Sequence, residues 1–166
     1  MAEKTEKTEK VPENTVKKDY LAIQKKYSLP SLDNVENDFG YIDFDSERFM
    51  LSSVRRKMSD KIDAFAIGIA NIFEGETNLT NLYESKVLDE DKKTELFNIY
   101  RKLMKHSRQA NILSLYYDEK EEAEFVKDFY KEWQTIKKEI KKYFVMLRDS
   151  WNENHDLPED IQNYLG

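Results

Sequence analysis

The chain has 166 residues, 39% of them hydrophobic and 36% charged, which is enough for one proper core but not comfortably for two. A formal net charge of −6 argues against a dedicated binder of nucleic-acid phosphates. The absence of cysteine excludes disulfides, thiolate metal sites and cysteine nucleophiles, and disfavours the class of small secreted scaffolds.

Residues 1–15 repeat a Glu-Lys-Thr theme without apolar periodicity, the pattern of a disordered charged tail and not of a signal peptide. Residues 16–45 are expected to hold a short helix at about 17–27, with Tyr20, Leu21, Ile23 and Tyr27 on its apolar side. Ser28-Leu29-Pro30 ends it. Ser31 then caps another turn carrying Leu32, Val35 and Phe39, which Gly40 closes before a connector through Tyr41, Ile42 and Phe44.

Residues 46–157 form the main domain in this reading. Asp45 or Ser46 caps a first long helix whose apolar positions, from Val54 through Met58, Ile62, Phe65, Ile69, Ile72 and Phe73, fall at helical spacing. Gly75 is placed to stop it, and Gly68 inside it is expected to let another backbone approach. Residues 76–88 read as a connector. A second helix starts near Asp89, with Leu96, Ile99, Tyr100, Leu103, Ser107, Ala110 and Leu113 inward and Ile112, Leu115 and Tyr116 widening the stripe. Asp118 followed by Glu121 resembles a capping box, and from it a third helix runs through Val126, Phe129, Trp133, Ile136, Ile140, Tyr143, Phe144, Leu147 and Trp151.

The three helices come to about 43, 40 and 52 Å at 1.5 Å per residue. Connections this short make successive helices antiparallel neighbours. The expectation is therefore an all-α fold: an antiparallel three-helix bundle with the 16–45 segment packed on it and a short C-terminal turn at 158–166, carrying Ile161, Tyr164 and Leu165. The overhanging end of the third helix needs cover, which residues 76–88 are placed to supply.

No constellation has the grammar of an active site. His106 and His155 lack partners at metal-binding spacing, and Glu-x-x-His pairs, glycine-rich phosphate loops and serine elbows are absent. No catalytic, cofactor-binding or metal-ligating residue is assigned. The acidic residues Asp118, Glu119, Glu121, Glu122 and Glu124 are read as complements to a helix dipole, and Ser107 with Ala110 as close packing.

Two sets of residues are candidates for partner contact. Arg55, Arg56, Arg101, Lys105, Arg108, Lys138 and Lys142 lie at similar heights on the three helices, as a belt for phosphate or an acidic protein surface. Tyr27, Leu29, Leu32, Phe39, Trp151 and Tyr164 are the apolar candidates for docking a partner or a second copy. The leading expectation is a cytoplasmic, non-catalytic interaction or assembly factor without a membrane span. A ribosome- or nucleic-acid-associated factor is the alternative.

The stretch from Leu51 to Asp63, with Val54-Arg55-Arg56-Lys57-Met58, resembles the first helix of the all-helical chorismate mutases. That resemblance implies an arginine facing a substrate carboxylate, and it covers only about a dozen residues. The wider layout, with its Lys/Glu-rich tail, Tyr27-Ser28-Leu29-Pro30 connector, long charged helices and Asn163-Tyr164-Leu165-Gly166 end, is similar to small uncharacterised helical proteins of archaea. No activity comes with it.

Overall fold

The computed structural model describes residues 13–44, 49–74 and 78–152, and among them it contains six α-helices and no strand. They are α1 (Glu13–Tyr27), α2 (Leu32–Phe39), α3 (Met50–Phe73), α4 (Leu79–Val87), α5 (Glu90–Leu113) and α6 (Glu119–Ser150).

Local chemistry sets most of the boundaries. The side chains of Ser31, Asp89 and Asp118 each accept a hydrogen bond from the backbone N–H three residues on, satisfying one of the orphan donors at the starts of α2, α5 and α6. Gly40 ends α2 at φ 92°, a conformation that costs a glycine little. Ser28 adopts φ 56° after α1 and Pro30 follows, so that helix cannot continue. Phe49 stands at the N-cap of α3. The anticipated caps Asp45 and Ser46, the stop Gly75, residues 1–12 of the expected 1–15 tail and the C-terminal turn with Tyr164 lie outside the described residues, while residues 13–15 of that tail belong to α1 and are helical.

The three long helices pack pairwise against one another. Contacts run in opposite order along α3 and α5, where Arg55 meets Ala110 and Asp63 meets Ser107. They do so again along α5 and α6, where Lys102 meets Glu139 and His106 meets Glu132. Along α3 and α6 they run in the same order, from Ser52 against Glu122 to Phe65 against Trp133. Val54, Met58, Ile62 and Ile69 of α3, Leu96 and Leu103 of α5, and Val126, Phe129 and Ile136 of α6 are fully buried between them. Each such side chain contributes about 1.5–3 kcal/mol relative to staying in water.

The flanking segments cover this core. Phe39 of α2 sits 5.8 Å from the ring of Phe129 and 5.4 Å from that of Trp133, and Asp38 grips Lys137 at 2.7 Å. The buried Tyr20 donates its hydroxyl to the Pro30 carbonyl. Lys26 and Tyr27 both donate to Glu119 at the start of α6, and these bonds hold that carboxyl below the usual carboxylate range.

Residues 79–87 are not a plain connector but a helix. Asn78 caps α4, which packs on α3 and α6. Tyr83 donates to the Ser150 carbonyl at 2.7 Å, its ring lies 4.4 Å from that of Trp151, and the Trp151 indole donates to Glu84. The apolar points Leu79, Leu82, Tyr83 and Val87 fit a helical repeat too short to stand out against the polar residues between them. Gly68 does not admit a neighbouring backbone: a β-carbon there would meet only the Phe144 ring, at an ordinary 3.9 Å. No helix among the described residues is long and apolar enough to cross a membrane.

Candidate functional site

The proposed cationic belt divides in three dimensions. Arg55 is not a surface residue. Its guanidinium lies in the core, with Nε 2.9 Å from Glu122 Oε2 and a further bond from a terminal nitrogen to the Ala110 carbonyl. Ser52 donates to the same carboxylate at 2.8 Å, and Glu122 is fully buried. The physical reason is pairing: a charge inside a core persists only with an opposite charge and hydrogen bonds to it. Arg55 is thereby withdrawn both from the belt and from the substrate-carboxylate role that the mutase resemblance implies.

Arg56 is exposed on α3 and donates to Ser53. Arg101, Lys105 and Arg108 are exposed on α5, and Lys138 and Lys142 on α6. Along the α5–α6 seam carboxylates alternate with these cations. Lys142 pairs with Glu95 at 3.3 Å and Lys102 with Glu139 at 3.1 Å. Glu95 also accepts the Tyr143 hydroxyl. That bond and the Lys142 contact keep the Glu95 carboxyl low, while burial, chiefly, pushes the Tyr143 phenol up. Along the seam Lys142 of the expected belt, and Lys102 near it, are therefore each paired with a carboxylate.

Of the apolar docking candidates, Leu29, Leu32 and Phe39 are buried in the chain's own core and are not available to another molecule. Tyr27 is half-buried and committed to Glu119. Trp151 keeps half its surface exposed against α4. The short helices were apolar enough for either destination, and burial on their own chain is the one that removes that surface from water without a second molecule.

Several residues with chemical potential were not singled out by spacing. His106 is 7% exposed, with its ring against Phe129 and Nε2 2.7 Å from Glu132 Oε2. Ser107 donates to Asp63 at 2.8 Å, so this small residue is a hydrogen-bonding one. No local signal could have paired residues that are 26 and 44 positions apart. Ile112, Leu115 and Tyr116, expected to widen the inward stripe of α5, point outward instead, Leu115 being 81% exposed. Ile112 lies on the outer side of α5 one residue before its last buried position, Leu113, while Leu115 and Tyr116 come after the helix has ended.

Open grooves lie among the described residues on two sides of α6. One, of ≈ 920 Å³ beside α5 and α6, carries Glu121, Glu124, Asp128 and Glu132 against Lys105 and Lys131. Within it Tyr116 donates to Glu121 and His106 meets Glu132. The other, of ≈ 370 Å³, runs along α6 beside α3. It is lined by Phe65, Trp133, Ile140, Phe144 and Val145, with Lys137, Lys141 and Arg148 among them. The seven α6 positions from 133 to 148 form two adjacent rows, 133/137/140/144/148 and 137/141/145/148, each stepping by three or four residues along one helix face about 22 Å in length. No group of three or more metal-ligating side chains suited to an ion occurs among the described residues. No protein-family model, curated protein or solved structure matches the chain.

Proposed function

We propose that this protein is a cytoplasmic, non-catalytic interaction module: an antiparallel bundle of α3, α5 and α6, braced by the shorter helices, that holds a partner protein against the outer face of α6. The observation that carries the reading is the apolar lining of the α3–α6 groove. Phe144 remains 37% exposed, and Phe65 and Val145 only half-buried, beside a core that buries nearly every other large apolar side chain of α6. An open apolar stripe on a rigid helix is what helix-in-groove recognition uses.

The other readings draw less support. A nucleic-acid contact needs a continuous cationic face, and the seam cations are interleaved with Glu95 and Glu139. A mutase-type site needs arginines open to substrate, and Arg55 is bound to Glu122.

Photo-crosslinking in the producing cells tests the proposal. A photoreactive residue at Val145 is expected to give a discrete adduct with a second protein, and one at the exposed Asn98 of α5 none. Identical adduct patterns at both positions, or none at Val145, would contradict it.

A further inference from the structure

The geometry points to an acidic amphipathic helix of a partner protein as the occupant of the α3–α6 groove; this rests on the interaction reading above and names the chemistry of its contact. The whole chain carries a net charge of −6, yet the residues lining this groove include Lys137, Lys141 and Arg148 and no carboxylate. Asp38 and Asp149 pair with two of these cations from outside the lining, so the positive charge this stripe offers a partner is centred on Lys141. The floor between them is apolar and aromatic: Phe65, Phe144 and Val145 are its accessible part, with the Phe65 and Phe144 rings 5.8 Å apart.

The cations differ in how far they are already committed. Lys137 is held by Asp38 at 2.7 Å, and Arg148 pairs with its own neighbour Asp149 at the exposed end of α6. Lys141 is exposed and has no carboxylate partner among the described residues. Exposed pairs such as Arg148–Asp149 contribute little and exchange readily for a better-placed carboxylate.

Shape selects a helix over a small ligand. Small-molecule sites enclose most of their ligand in a concave cavity. This groove is open, straight and about four helical turns long, and its lining repeats every three to four residues. A helix with an apolar stripe laid along it, flanked by Asp or Glu, would cover Phe144 and Val145 and bring carboxylates to Lys141 and Arg148. Negative residues on the flanks of the incoming helix supply register and rate of encounter, while the apolar stripe supplies the affinity.

The test uses the full chain and two synthetic helical peptides of about 18 residues, ~27 Å long. Both carry leucines along one face and differ only in having glutamate or lysine at the flanking positions. Binding is read by calorimetry at low and at physiological salt. The glutamate peptide is expected to bind at least about tenfold more tightly, with the margin shrinking as salt rises. The double variant Lys141→Glu/Arg148→Glu, at two exposed positions whose change should leave the thermal melt in place, is expected to abolish or reverse that preference. Equal binding of the two peptides, no binding of either, or indifference to the double variant would overturn the assignment. So would a concentration-dependent dimer dissolved by Val145→Asp, since a second copy would then be the occupant. A failed peptide titration with the Val145 crosslink intact removes only the acidic helix; loss of both removes the interaction reading as well.

Discussion

Glu122→Ala is expected to destabilise the protein by about 3–5 kcal/mol, because it leaves the Arg55 guanidinium buried opposite nothing. The two side chains are 9% and 0% exposed, so water cannot replace the lost carboxylate without opening the core. Ser52 loses its acceptor in the same step. For a chain of this size the loss corresponds to a fall in Tm on the order of 10 °C. The companion variant Arg55→Met/Glu122→Leu removes both charges and fills their space with apolar atoms, and should recover most of the stability or exceed it. Chemical denaturation of the three proteins checks this. A single variant as stable as the parent would mean that the ion pair is solvated, and that Arg55 belongs to the surface after all.

Phe129→Ala is expected to cost about 3–5 kcal/mol through the cavity it leaves. Phe129 is fully buried where α2, α5 and α6 meet, its ring within 6 Å of the rings of Phe39, Phe125 and Trp133 and 4.9 Å from that of His106. Its loss therefore loosens α2 from α6 and strips the cover from His106 as well as removing its own burial. The control is Phe97→Ala on α5: that ring is 47% exposed, so the loss should be under about 1 kcal/mol. Denaturant unfolding followed by near-ultraviolet dichroism separates the two. Equal losses would mean that α2 does not dock where Phe39 places it.

The helical content was legible because the relevant signals are local. The caps at Ser31, Asp89 and Asp118 are one-residue motifs, and the repeat from Val126 to Leu147 is long enough to be unambiguous. α4 was missed since nine residues with four apolar points suit a loop nearly as well as a helix. The fate of charged residues was not legible at all. Arg55 and Arg56 are adjacent and identical in type, yet one is buried and the other exposed, because a helix turns by about 100° per residue and Glu122 lies 67 positions away on a different helix. The groove was hidden for a related reason. Phe144 belongs to the apolar repeat of α6, yet it lies against Phe65 and Gly68 of α3 with 37% of its surface still open. Lys137, Lys141 and Arg148 stand in a lysine-rich run of the sequence, but nothing local says that they share one face with that ring.

Hydroxyl-radical footprinting of the purified full chain tests most directly whether the α6 stripe is an uncovered surface. Leu115, 81% exposed, sets the scale of an open side chain, and the buried Phe129 and Trp133 set that of a closed one. Phe144 and Val145 are expected to oxidise well above the Phe129 and Trp133 background at every protein concentration. Protection of Phe144 and Val145 to the level of Phe129 in the isolated monomer would contradict the account, since the stripe would then be covered by the chain itself and no face would remain for a partner.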